Sequence, residues 1–339
     1  MPAKKDIVIG VAAGYSWPAV EPWARSLVAS GFAGVGAVIV YDRDARGDAI
    51  AEHLDSLGLY AVRMPPRDSV YNGRFEDVAH VLRMFAASLR FAIVTDVRDV
   101  YFQSDPIPWL EAHLRRPFLA VSEGVRYSDE EWNRANLRRS FPAHVQRLWS
   151  KAVCNVGVIA GEAGVMADLC LAISLVAASS GVSIADQSGY NLLLDMEPYR
   201  SAAQFVTSEE GFACQAGTFA DPGKIGVLRP FLLEPEPTLI GECVHTATGI
   251  PYPIVHQYDR VPEWKQALTS RLRSAPAVGG SASRPGLARV LGDVDGASVL
   301  QTARRFGVAR AESSISLSAA VSNDLAHADG LPSPQEGTA

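Results

Sequence analysis

Four apolar runs, each separated from the next by a stretch of helical periodicity, govern what the first hundred residues can become. IVIGVAA (7–13), AVIVY (37–41), LYAVRM (59–64) and FAIVT (91–95) are rich in β-branched residues and lack the alternation of a half-exposed strand. Such runs predict strands covered on both faces. Between them, Val20, Trp23, Leu27 and Val28 give a helix over 18–29 its inward face. A second helix falls over 47–57, and Phe75, Val78, Leu82 and Phe85 repeat at helical spacing. Gly31, Gly34 and Pro65 with Pro66 break the pattern between elements. Strands alternating with helices predict an α/β fold, a largely parallel sheet with helices on both faces.

The later half is less regular. Residues 126–149 are charged and carry tryptophans, with Pro142 as a break. VCNVGVIAG (153–161) reads as one further strand, 165–178 as an apolar helix, and DQSGYNLLL (186–194) as a short helix with Asp186 at its N-cap. VLRPFLL and IPYPIVHQYDR (250–260) read as late sheet or loop. From 274 the chain turns rich in Ser, Ala, Gly and Pro, predicting a linker over 274–286, a short amphipathic helix around 287–310 and a poorly ordered tail over 312–339. The folded domain is therefore expected over 1–273, with halves at 1–120 and 121–273.

A chain of 339 residues that is 48% hydrophobic can bury a sizeable core. Its formal net charge of -6 gives no general attraction to nucleic acid or to an anionic membrane surface. Cys154, Cys170, Cys214 and Cys243 form no CxxC pair and read as reduced thiols. The start, MPAKKDIVIGVAAGYSW, lacks the long apolar region and small-residue cleavage site of a signal peptide, and no run suits a transmembrane segment. A cytoplasmic location is the expectation; the oligomeric state is left open.

The chemistry concentrates in FAIVTDVRDVYFQSDP (91–106), where a buried strand delivers Asp96, Arg98, Asp99 and Asp105 in quick succession. Ligands of open α/β sheets bind beyond the carboxyl ends of the strands. Carboxylates placed there can hold a hard divalent cation, Mn²⁺ or Mg²⁺. A turn rich in Asp is the plainer account of the same residues.

Three later segments bear on that choice. TDVRDVYFQSDP, CNVGVIAG (154–161), DQSGYN (186–191) and VHQYDRVPEW (255–264) occur in the order found in the GT-A fold, nucleotide-sugar-dependent glycosyltransferases. They resemble, respectively, that family's Asp-x-Asp block, its Asn-x-Gly strand, its Asp-Gln-x-x-x-Asn helix start and the late His segment of its glycogenin-like group. The resemblance covers residues 7 to 265 and implies a GT-A type, Rossmann-like mixed and mostly parallel sheet. It also implies transfer of a sugar from a nucleotide diphosphate sugar, a UDP-sugar in the first instance, to an acceptor hydroxyl with a metal ion as cofactor. Here the motif reads Asp-x-Arg-Asp. Counted back from Asp105 and Pro106, Asp99 takes the place of the metal-binding acid and Asp96 lies one residue early.

The resemblance implies metal ligation by Asp99, His256 and Asp96, with His245 as a lesser alternative to His256. The donor is expected over Ala12, Ala13, Gly14 and Tyr15, with Arg74, Asp96, Val97 and Arg98 near its diphosphate. Arg98 could instead pair with Asp96. Asn155, Asp186 and Gln187 are expected on the sugar side, the last two near the reacting centre. The acceptor is expected beside 122–149 and 212–225, where Tyr127, Trp132, Trp149 and Phe219 gather. No Asp or Glu stands out as a general base, which favours retention. A nucleotide-sugar-binding protein without turnover is the alternative. A haloacid dehalogenase-type phosphatase would need its Asp motif after the first strand rather than the fourth.

Overall fold

The computed structural model describes residues 4–274. The predicted linker, helix and tail beyond 274 lie outside the described residues. The first half follows the alternation read from the sequence: β1 (Lys5–Ala12), α1 (Trp17–Ala29), β2 (Val35–Val40), α2 (Ala45–Ser56), β3 (Tyr60–Arg63), α3 (Val70–Met84) and β4 (Leu89–Thr95). Then come β5 (Val100–Phe102), α4 (Ile107–His113), β6 (Phe118–Arg126), α5 (Glu131–Ser140), α6 (Val145–Leu148), β7 (Ala152–Cys154) and β8 (Val158–Glu162). The helices α7 (Ala163–Ser179), α8 (Asp186–Leu194) and α9 (Tyr199–Ala202) lead into β9 (Ala203–Val206) and β10 (Ala213–Gln215). Two single turns, α10 (Ala216–Phe219) and α11 (Ile225–Leu228), precede the hairpin β11 (Thr238–Ile240) and β12 (Cys243–His245). β13 (Ile254–His256) and α12 (Pro262–Ser274) end the described chain.

The main sheet runs β3-β2-β1-β4-β8-β6-β7, with β9 also paired to β6. β3, β2, β1 and β4 are mutually parallel, whereas β8 returns antiparallel to both β4 and β6. This is the expected mixed, mostly parallel Rossmann-like α/β sheet. The apolar runs are continuous because both sheet faces are covered. Ile7, Ile9 and Val11 of β1 face a core built with α3 and α7, while Val8 and Ala12 face one built with α1 and α2. Trp23 of α1 is fully buried, its indole N–H donating to Thr95 Oγ1 at the end of β4 (2.8 Å). That bond ties a helix to the strand that ends at the charged motif.

A second, three-stranded sheet, β10-β13-β5, stands at the carboxyl ends of the main one. Its strands are three residues long, too short for a sequence period to mark them. VCNVGVIAG is not one strand: it splits at Asn155, Val156 and Gly157 into β7 and β8. The backbone polar groups of this gap are used elsewhere. Asp96 N donates to Gly157 O (2.8 Å) and Asn155 N to Val121 O (2.9 Å). Among the described residues, no helix is long and apolar enough to cross a membrane. The four cysteines are free, and burial raises the thiol pKa of each.

Candidate active site

Strand register assembles the charged cluster. Asp96 is the first residue past β4, and Asp99 immediately precedes β5. β13 pairs antiparallel with β5 so that His256 faces Val100, and Gln257 N then donates to Asp99 O (2.7 Å). Gln257 makes this bond from the left-handed region (φ 58°), which turns the chain out of β13 directly after the histidine. His256 Nε2 thereby stands 3.5 Å from Asp96 Oδ2 and 3.6 Å from Asp99 Oδ1.

These are separations of attraction, longer than a hydrogen bond. Burial alone would lower the pKa of His256. The Asp99 and Asp96 charges outweigh it and push the ring up to about 9. Burial likewise opposes ionisation of the acids, yet both end below the usual carboxylate range. His256 is the main cause for Asp99; Arg74 and His256 act together on Asp96.

Three observations fit this cluster to a divalent cation. One nitrogen and two carboxylate oxygens lie within 4.8 Å of one another. His256 is 2% exposed, and its Nε2 is buried without a hydrogen-bond partner. Gly157 leaves the space open, since a Cβ there would come within 2.5 Å of His256 Cε1 and 2.8 Å of Asp96 Oδ2. One imidazole and two carboxylates make a donor set that a divalent cation can use.

The cluster lies in a cleft of about 550 Å³. On the opposite wall Glu123, in the middle of β6, collects three carboxamides. Its Oε1 accepts from Asn155 Nδ2 (2.7 Å) and Gln187 Nε2 (3.0 Å), and its Oε2 from Asn133 Nδ2 (2.9 Å). Gln187 Nε2 also donates to Asn133 Oδ1 (2.7 Å), closing the network. No cation joins it, so burial raises the Glu123 pKa although the amides oppose the shift.

Arg74 lies between the two walls, pairing with Asp96 on one side and Asp186 on the other (3.1 Å to the latter). Asp186 is not the N-cap of α8 but its first residue. Its Oδ1 accepts from Gln187 N (3.0 Å), while its Oδ2 is committed to Arg74. Burial raises its pKa, with Arg74 acting in the opposite sense.

Most residues singled out in the sequence meet here. Tyr15, Arg74, Asp96, Val97, Arg98, Asp99, Asn155, Asp186, Gln187 and His256 all line the cleft. Ala12, Ala13 and Gly14 do not. Ala12, the last residue of β1, is fully buried in the core on the α1 side, and Ala13, partly buried, packs against the core on the α3 side. Gly14 turns the chain at φ 71° and donates its N–H to Asp42 Oδ2 (2.8 Å).

Arg98 does not pair with Asp96, which Arg74 already holds. It bridges Asp99 (3.2 Å) and Asp259 (3.3 Å). His245 is apart from the cluster, its Nδ1 against Cys243 O (2.9 Å). Of the aromatics expected around an acceptor, only Trp132 lines the cleft, 47% exposed at its mouth. Tyr127 and Phe219 are core residues, and Trp149 lies under Arg134 and Arg138.

Glu123, Asn133, Tyr71, Lys224 and Gln257 line the cleft without having been anticipated. Glu123 carried a usable signal, a lone charge inside the apolar run FLAVSEGV. Comparison with known protein families and with curated proteins found no match to this chain.

Proposed function

We propose that this protein is a metal-dependent glycosyltransferase that moves a sugar from a nucleotide diphosphate sugar, a UDP-sugar in the first instance, to an acceptor hydroxyl. One observation carries the reading. Asp96 and Asp99, from one loop, converge with His256 from the far end of the described chain, in the same cleft as Asn155, Asp186 and Gln187. All six come from the four segments whose order resembles that enzyme class.

Asp99, Asp96 and His256 would hold Mn²⁺ or Mg²⁺, which supplies positive charge to the diphosphate as the glycosidic bond breaks. Arg98 is more exposed than Arg74, at 42% against 15%, and its fork could reach a phosphate oxygen of the donor beside Asp99. Arg74 is held between two carboxylates and acts by fixing Asp96 and Asp186 and favouring the charged form of each. Glu123 orders Asn155 and Gln187 on the wall assigned to the sugar.

The cleft carboxylates Asp96, Asp99, Asp186 and Glu123 are all engaged by protein partners, none standing free as a general base. That supports a retaining outcome. A donor-binding protein without turnover is the second reading, favoured by the internal pairing of Arg74 and Arg98. A phosphatase of the haloacid dehalogenase type is disfavoured because Asp96 follows the fourth strand.

The test is release of nucleoside diphosphate from a panel of nucleotide sugars, with Mn²⁺ and with EDTA. One donor is expected to turn over with metal only, and Asp99→Ala to abolish release while melting as a folded protein. Wild-type release by Asp99→Ala would remove the central claim. Stabilisation by a donor with no release would favour the second reading.

A further inference from the structure

We infer that Gln215 is a positioning residue: it fixes which ring nitrogen of His256 carries hydrogen, and so keeps the Nε2 lone pair turned toward Asp96 and Asp99. The inference rests on the metal-centre reading above.

β10 and β13 pair in parallel with Gln215 directly opposite His256. The side chains of the two residues meet there, His256 Nδ1 standing 2.7 Å from Gln215 Oε1. Both residues are buried, Gln215 completely, so no water competes for this bond.

An imidazole nitrogen that binds a cation must offer a lone pair, and the other nitrogen must then carry the hydrogen. An acceptor at Nδ1 selects that form. With Nδ1–H donating to Gln215 Oε1, Nε2 is left for the two carboxylates and whatever cation they share. When the ring is protonated the same bond persists, because Nδ1–H still needs an acceptor. Gln215 therefore serves the metal-free protonated ring and the ligating ring without turning over.

The opposite amide orientation would place Nε2–H of Gln215 against a bare Nδ1. The ring hydrogen would then move to His256 Nε2 and close the site. In the arrangement observed, the Gln215 amide nitrogen is buried with no partner of its own. Partners that orient a ligating histidine are generally needed for full metal affinity.

Two readouts decide the matter. The first is Mn²⁺ titration by calorimetry at pH 8 of the wild type, Gln215→Met and Gln215→Glu. Met keeps the length and volume of Gln but offers Nδ1–H only a weak acceptor, and Glu keeps a strong one. Gln215→Met is expected to bind Mn²⁺ about 10–100-fold more weakly, with Gln215→Glu restoring affinity to within a few-fold of wild type. A purely structural role would lower the melting temperature of both without this ordering. Should Gln215→Met not fold, Gln215→Leu makes the same comparison.

The second readout is the ¹⁵N spectrum of histidine-labelled protein at pH 10, with His256 assigned by its loss in His256→Gln. Hydrogen on Nδ1 in the wild type, and its loss from that position in Gln215→Met, is the expected result. Equal Mn²⁺ affinity in wild type and Gln215→Met, or hydrogen on Nε2 in the wild type, would overturn the inference. Absence of Mn²⁺ uptake by the wild type would instead sink the metal centre, and the ¹⁵N spectrum alone would then decide the role of Gln215.

Discussion

Substituting Gly157 with alanine probes the cluster through one methyl group. The added Cβ would stand 2.5 Å from His256 Cε1, 2.8 Å from Asp96 Oδ2 and 2.9 Å from His256 Nε2. Comfortable carbon contacts lie at roughly 3.5–4.0 Å, so the ring or the backbone gap must give way by about 1 Å. The ring cannot retreat freely, since it is buried and tied through Nδ1 to Gln215. The backbone is held as well, by the bond from Asp96 N to Gly157 O (2.8 Å).

Ligand atoms around a metal tolerate displacements of only about 0.2 Å. A shift five times larger removes one ligand from the set. Mn²⁺ affinity is expected to fall about 10–100-fold, or about 1.4–2.8 kcal/mol. Overpacking should cost a further ~1–3 kcal/mol of stability. Calorimetric titration with Mn²⁺ and urea denaturation in EDTA measure the two effects separately. A folded Gly157→Ala protein with wild-type Mn²⁺ affinity would refute the placement of His256 and Asp96 around a common ion. Unchanged stability would refute the close approach itself.

Other outcomes follow from the same contacts. In metal-free protein the folded pKa of His256, about 9, lies above its ordinary value, so its charged form stabilises the fold. That contribution, roughly 3 kcal/mol at ~1.36 kcal/mol per pKa unit, is complete below about pH 6.5 and is lost as pH rises through about 9. Urea midpoints in EDTA between pH 6 and 10 should show the loss in wild type and not in His256→Gln; parallel curves would contradict it. Glu123→Ala removes the acceptor of Asn133, Asn155 and Gln187 and should cost about 2–4 kcal/mol, read as a lower urea midpoint. A change under ~0.5 kcal/mol would mean that the three amides find other partners.

The long strands and helices were legible because they are buried on a repeating pattern: β1 through β4 read as apolar runs, and Val20, Trp23 and Leu27 as one helix face. The break at Asn155–Val156–Gly157 was not, because each residue there makes a long-range bond, to Val121, Gln187 and Asp96 in turn, beside the one local bond from Gly157 N to Asn155 Oδ1. β5 and β10 escaped notice for a different reason, being too short to show a period. In the site, residues with a charge at a strand end announced themselves. Gln215 did not, since its importance lies wholly in facing His256 across a strand pair. Smallness alone does not mark a site: Ala12 is fully buried in the core and Ala13 packs partly buried against it, both outside the lining of the cleft.

The placement of His256 on the middle strand of the β10-β13-β5 sheet has a consequence for how the protein comes to be active. The parallel strands β1 to β4 and Asp96 come from the first hundred residues. The proposed ligand set is complete only when β13, from near the end of the described chain, pairs between β10 and β5. Closure of such distant contacts is slow on the scale of local folding. Under the proposed metal centre, cation binding therefore requires β13, and a chain cut or stalled before it would lack His256.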